Sequence, residues 1–305
     1  MNLYNKYRPQ SLDQIKGNSE LVTTLSKMLE DITTCPHAFL LHGSTGCGKT
    51  TVARIIAANL DCNGSDFREV DSADFRGIDT IREIRKNSQF MPMEGANRVW
   101  LIDECHKLTN DAQNALLKIL EDSPPHVFFI LCTTEPQKLI ETVKGRCTQF
   151  QVQPLTSEHM YSLLRKIVRA EGQELSKDIY DQIIETSQGH PRNAIVILEQ
   201  VLNAPEDERI QIAKRMVDAQ VQTIELCRAL INPRSPWSAV KVILEGLKGQ
   251  EPETIRRSVL GYAQAVLLKA ENDRAALIIE EFWEPTYDIG FPAIVYSCYS
   301  IIKTK

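Results

Sequence analysis

No apolar run in the 305 residues approaches the ~18 that a membrane-crossing helix needs. The densest stretch, Val127 to Cys132, is only strand-sized. The opening MNLYNKYRPQ lacks the apolar core of a secretion signal. Positive charge is not in excess: 35 Lys and Arg against 40 Asp and Glu leave −5. That excludes a uniformly basic coat for wrapping nucleic acid, so any such contact must be a local patch. Gly and Pro, 14 each, are too few for a collagen-like or low-complexity chain. Of the eight cysteines the closest two, Cys35 and Cys47, are twelve residues apart. With no CxxC and no Cys/His cluster at zinc spacing, a zinc ribbon is excluded. The cysteines read as reduced thiols of a cytosolic protein.

What is present is ordinary globular composition, 43% apolar and 25% charged, in a length that suggests about two domains. Strand and helix signals alternate through the first half. His37 to His42, Val99 to Ile102, Val127 to Cys132 and Thr148 to Val152 read as strands. Thr50 to Leu60 has Val52, Ile55, Ile56 and Leu60 on one helical face, and Asp111 to Glu121 is a helix capped by Thr109 or Asn110. This is the pattern of a parallel α/β sheet with crossover helices. After Pro154 only helices follow: Ser157 to Ala170, one capped by Ser176 and ending at Gly189, and Arg192 to Leu202. Beyond a linker at 203–207, the spacing predicts helices at about 208–230, 236–248 with Pro236 at the first helical position, 252–270, 273–284 and 291–302. The expected organisation is an α/β domain at 1–153, a small helical domain at 154–204 and a helical domain at 205–305.

Gly43-Ser44-Thr45-Gly46-Cys47-Gly48-Lys49-Thr50 fits GxxxxGK[ST] at every position, between a predicted strand and a predicted helix. Such a loop turns its backbone N–H groups and the helix's positive end toward phosphate oxygens. Lys49 is expected to reach the β/γ-phosphates of ATP and the Thr50 hydroxyl to ligate Mg²⁺. Fifty residues on, Val99-Trp100-Leu101-Ile102 delivers Asp103 and Glu104 to a strand's carboxyl edge, where ligands of parallel sheets sit. Asp103 suits the Mg²⁺ shell, and Glu104 suits a water that attacks the γ-phosphate.

With both motifs in place, the chain resembles the AAA+ ATPases, and among them the clamp-loader subunits of replicative polymerases. Tyr4 to Pro9 and Asp13 to Asn18 look like the family's adenine-pocket segment, which implicates Tyr7, Arg8, Pro9 and Ile15. Asp103 to Leu108, followed by Asn114 to Lys118, looks like its acidic motif and central helix. Thr133 to Leu139 is similar to its first sensor, Gly145-Arg146-Cys147 to its arginine-finger motif, and Gly189 to Arg192 to its second sensor. The match covers residues 4 to about 202. Beyond that, only length and helicity agree with the family's collar, the oligomerisation domain. Gly145 stands where the family usually has Ser, and Cys105 where a small residue is commoner. The cysteine-rich zinc insert of the bacterial motor subunit is absent between Leu60 and Val70, which suggests a phage, archaeal or eukaryotic small subunit.

The resemblance implies an ATP-driven subunit, working in a ring with other loader subunits, that opens a sliding clamp and places it on primer–template DNA. The implied compartment is the cytoplasm, the host's if phage-encoded, or the nucleus if eukaryotic; neither membrane nor zinc is implied. Nucleotide contacts are expected from Gly43 to Thr51, Thr133, Pro191 and Arg192. Catalytic roles fall to Lys49, Glu104, Thr134 (or Thr133), Arg192 and, acting on a neighbouring subunit, Arg146. A finger arginine is worth roughly 10³–10⁵ in rate, and Arg146 has no obvious partner in its local sequence. Arg192, opening a helix, would couple nucleotide to a hinge near Gln153-Pro154.

On a helix from Asp79 to Ser88, Arg82, Arg85 and Lys86 cluster away from Ile81 and Ile84, with Arg76 just before. This is a candidate DNA stripe, or else a solvated face in which Asp79 and Glu83 partner Arg82 and Lys86. Lys107 and Lys118 are weaker candidates, and His106 reads as a local hydrogen-bonding residue. Two other functions remain open: a different AAA+ DNA remodeller for branch migration or fork repair, and a non-hydrolysing ring stator.

Overall fold

A computed structural model describes residues 2–72, 77–206, 208–268, 271–286 and 289–304; the side chains at 211, 214–221 and 224 are outside that description. Arg76 lies outside the described residues. The chain divides into two compact units, 1–203 and 204–305.

The first unit is built on five parallel strands: β1 (Ala38–His42), β2 (Phe67–Asp71), β3 (Arg98–Asp103), β4 (Val127–Thr133) and β5 (Thr148–Gln151), in the order β2-β3-β4-β1-β5. β4 is buried along its whole length because helices cover both faces, which is why it reads as an unbroken apolar run. Alternate side chains part the core. Phe39, Leu41, Phe128 and Ile130 pack with α2 (Ser19–Leu29) and α3 (Lys49–Asn59). Leu40, Phe129 and Leu131 pack with α4 (Ile78–Ser88) and α5 (Asn110–Glu121). α5 starts as expected, the Thr109 hydroxyl accepting from the Ala112 N–H at 3.2 Å. Two short helices, α1 (Leu3–Lys6) and α6 (Glu141–Lys144), belong to the same unit.

β2 is absent from the elements expected of the sequence. It is an edge strand carrying exposed Arg68 and Glu69, so neither an apolar run nor clean alternation marks it. The loop beside it is pinned from below. Buried Asp66 accepts from the backbone N–H groups of Met93, Glu94 and Gly95 at 2.8, 2.7 and 3.3 Å and pairs with Arg98 at 3.1 Å. On that loop Phe90, Met91 and Met93 stand exposed.

The same unit contains α7 (Ser157–Ala170), α8 (Lys177–Ser187) and α9 (Pro191–Leu202). Ser176 stands at the α8 N-cap, but its side chain makes no capping bond. α1 packs on α9, and the Leu3 N–H donates to Glu199 at 3.0 Å.

The second unit is α10 (Arg209–Ile231), α11 (Trp237–Leu247), α12 (Pro252–Leu267), α13 (Asp273–Glu281) and α14 (Phe291–Lys303) around one apolar core. Pro236 is the N-cap residue of α11 and not its first helical residue, because its backbone is extended at ψ 150°. Residues 269–270, expected at the end of α12, lie outside the described residues, and α13 stops three residues short of the expected 284. No helix among the described residues is long and apolar enough to cross a membrane.

Candidate nucleotide site

Parallel strands put all their carboxyl ends on one edge. β1, β4 and β3 are neighbours there, with His42 opposite Thr133 in register. The phosphate loop leaves β1 through Gly43, where φ is +152° and a Cβ would sit 2.2 Å from the Val152 carbonyl oxygen; only glycine fits this approach. Gly48, at φ +110°, turns the chain into α3. Buried Lys49 folds back and donates to the Gly43 and Ser44 carbonyls at 2.9 and 3.0 Å, spanning the loop.

The Thr50 hydroxyl donates to Asp103 Oδ2 at 2.9 Å, while Oδ1 of the same carboxylate accepts the Glu104 N–H at 2.9 Å. Hydroxyl and carboxylate are hard oxygen donors held together. This donor set fits Mg²⁺, which takes one or two protein ligands and completes its shell with water and phosphate. No group of three or more His, Cys, Asp or Glu placed to hold a metal occurs among the described residues.

Two adjoining cavities of about 80 Å³ each flank the loop. One is mostly apolar and is lined by Tyr7, Arg8, Pro9, Ile15, Cys47, Val52 and Pro191, among others. The other is polar and holds Thr45, Lys49, Thr50, Asp103 and Glu104. Tyr4, Gly46, Gly48, Thr51 and Arg192 line both. An apolar slot joined to a polar cradle has the shape of a nucleoside phosphate.

Tyr4, which opens the Tyr4 to Pro9 segment but is not among the residues singled out in it, lines both cavities. Its ring lies 4.9 Å from both the Arg8 and Arg192 guanidinium carbons, and Arg192 donates to its hydroxyl at 3.1 Å. Burial pushes the Tyr4 phenol up, but the Arg192 bond and charge, with those of Arg8, outweigh it and hold the phenol below its ordinary value. Tyr7 is tied to the end of α7 by a bond from its hydroxyl to Glu171, which also accepts from Lys6 at 2.8 Å. Cys47 is buried, and desolvation raises its thiol.

Thr133 and Thr134 line neither cavity. Buried Thr133 accepts from the Glu135 N–H at 3.0 Å and bonds His106 Nδ1 at 3.1 Å. Arg146 lies away from both cavities and does have a partner in its own chain: it pairs with Glu121, at the end of α5, and donates to the Thr142 carbonyl at 3.0 Å. Glu121 is 25 residues distant, so local sequence could not show it. Arg82 and Arg85 line a groove between α4 and α5 together with Lys118. Lys86 is exposed on the same helix and does not line that groove. Arg82 is paired with Asp79 at 2.9 Å.

The family described as "DNA polymerase III, delta subunit" matches residues 64–156, and that described as "Sigma-54 interaction domain" matches 15–80. The chain is 31% identical to the tau subunit of DNA polymerase III from Bacillus subtilis over 291 residues, 87% of this chain and 51% of that protein. It is 33% identical to the gamma subunit from Buchnera aphidicola over 222 residues, 66% of this chain and 61% of that protein. The gamma/tau subunit of Mycobacterium bovis is 29% identical over 90% of this chain and 52% of its own length. The chain thus spans only about half to three-fifths of these relatives. They are bacterial subunits, whereas the absent cysteine-rich insert suggested phage, archaeal or eukaryotic ones. Among solved structures, the Holliday junction branch migration motor RuvB of Thermotoga maritima is 20% identical with a TM-score of 0.61, over 89% of this chain and 90% of that one. That likeness is one of fold.

Proposed function

The chain belongs to the AAA+ clamp-loader family, in which the gamma and tau subunits of DNA polymerase III are its relatives, and from that premise we propose that it is an ATP-driven subunit that opens a sliding clamp and places it on primer–template DNA. The observation that carries the ATPase part is the Thr50–Asp103 bond at the mouth of the phosphate loop, with Glu104 lining the same cavity. The adenine would enter the apolar slot, and the phosphates would meet the loop's N–H groups, Lys49 and, from the lid, Arg192. When bound, Mg²⁺ supplies charge neutralisation at the phosphates. Glu104 orients and deprotonates the attacking water. Thr134 is the better sensor of the two threonines, because the Thr133 hydroxyl is already engaged by His106 and Glu135. Arg146 reaches a neighbouring subunit's γ-phosphate, and Arg82, Arg85 and Lys118 face DNA.

The division 1–153, 154–204 and 205–305 serves as nucleotide domain, lid and ring-forming collar, and the working compartment is the cytoplasm. A partner clamp needs an apolar landing site, and exposed Phe90, Met91 and Met93 on the Asp66-pinned loop supply one. ATP turnover, measured with and without clamp and primed duplex, tests the reading. Both additions should raise turnover of the parent. Phe90→Glu with Met93→Glu should abolish the rise due to clamp and leave the rise due to DNA. No response to either addition defeats the loader reading.

A further inference from the structure

His106 is used by none of the roles above, yet it stands between two of them. Its side chain is only 6% exposed. Nδ1 lies 3.1 Å from Thr133 Oγ1 at the buried end of β4. Nε2 lies 3.4 Å from Glu104 Oε2 and 3.4 Å from Glu135 Oε1. The surroundings select one tautomer. Nε2 faces two carboxylates, which only accept, so Nε2 carries the proton. Nδ1 is then an acceptor and takes the Thr133 O–H, whose oxygen is left to accept the Glu135 N–H at 3.0 Å. Nε2 stands between the two carboxylates at 3.4 Å from each, close enough for its N–H to turn to either, and Lys138, at 2.9 Å from Glu135, offers that carboxylate a donor of its own.

We propose that His106 is a positioning residue for the Glu104 carboxylate, linking it to the sensor end of β4 through Thr133. The proposal rests on the reading of Glu104 as the group that activates water. Glu104 is held in left-handed backbone at φ 48°, so its main chain is fixed and its side chain is the free part. A donor anchored on the sheet removes that freedom and aims the carboxylate. Movement of Thr133-Thr134-Glu135 on nucleotide contact would then be passed to Glu104 through one imidazole.

The test compares ATP turnover and ATP affinity of the full chain in parent, His106→Leu and His106→Gln, assembled alike. His106→Leu removes the donor and should lower kcat about tenfold or more with ATP affinity unchanged. His106→Gln carries an N–H near the Nε2 position and should recover most of the loss. Thr133→Val, which keeps the side chain's shape, should lower kcat in the same direction by less. Parental kcat in His106→Leu overturns the proposal. So does a loss in His106→Leu that comes with weakened ATP binding or a lowered melting temperature and is not rescued by Gln. Glu104→Gln is measured beside them. If it is inactive while His106→Leu is parental, only the positioning role fails. If Glu104→Gln turns over like the parent, the base assignment itself is wrong.

Discussion

At the scale of single residues, the phosphate loop and the acidic strand end were legible in full, because the backbone dictates them. Gly43 has no room for a Cβ against Val152, and Thr50 meets Asp103, so the contacts themselves call for these residue types. Residues whose partners are remote in sequence were not legible. Arg146 with Glu121, and His106 with Thr133, are joined only by the fold. Tyr4 lies inside the Tyr4 to Pro9 segment, but its own role was not legible, because Arg192, which it meets, is 188 residues away. The site's division of labour gives the first residue-scale prediction. Lys49→Ala should weaken ATP binding, since it removes the cation that spans the loop. Glu104→Gln should bind ATP normally and lose turnover, because binding and water activation use different atoms. Equilibrium nucleotide binding and steady-state turnover on the same preparations separate them, and parental turnover in Glu104→Gln would refute the assignment.

At the scale of elements, the central strands were readable because burial on both faces leaves only apolar residues, as along β4. The edge strand β2 was not, since Arg68 and Glu69 face water and its identity comes from pairing with β3. The turn from α6 into β5 carries Arg146, and its ion pair with Glu121 is half-exposed, so little stability is tied up in it. Releasing it toward a neighbour is therefore inexpensive. Arg146→Ala should bind ATP as the parent does and fail to hydrolyse it in the ring. Mixed with a Lys49→Ala chain that keeps its finger, it should regain turnover at the hybrid interfaces. No recovery in a mixture shown to assemble would count against a finger acting in trans.

At the scale of the whole molecule, the two units rest on different supports. The second has no sheet among its described residues, and its buried polar node is Glu253. This carboxylate accepts from Arg256 at 2.7 and 2.8 Å, from Arg257 at 3.1 Å and from the Thr286 N–H at 3.2 Å. The Arg256 bonds hold Glu253 well below the usual carboxylate range; burial opposes them, and the Thr286 and Arg257 bonds add to them. A lowered folded-state value means the node's contribution is complete above the unfolded value near ~4.3 and is lost as pH falls through the folded one. Glu253→Ala leaves buried Arg256 without this partner and should cost about 3–5 kcal/mol in the second unit. Hydrogen exchange at amides of 204–305 reads this directly. The acid-dependent part of their protection should vanish in the variant, and unchanged protection at neutral pH would contradict the account.

The net charge of −5 bears on DNA at this same scale. A chain repelled overall by DNA must concentrate its attraction, and the groove holding Arg82, Arg85 and Lys118 does so between two packed helices. A single copy offers three cations, one of them shared with Asp79 and all beside Asp111 in the same groove, so it should bind DNA feebly. On the proposed ring reading, several copies set along one helical path should together reach useful affinity, and ATP should then tighten DNA binding. Linkage then requires DNA to favour the ATP-bound assembly equally. Neutralising Arg82, Arg85 and Lys118 together should weaken binding alike on all sequences. It should also reduce the slope of log affinity against log salt by about 0.9 for each phosphate no longer neutralised. Lys86→Ala, which lies off the groove, should leave that slope in place. Fluorescence anisotropy on primed duplex at several salt concentrations decides the matter. Parallel slopes for parent and triple variant would make the groove a solvated face and leave the ATPase reading untouched, since no residue of the nucleotide cavities is altered.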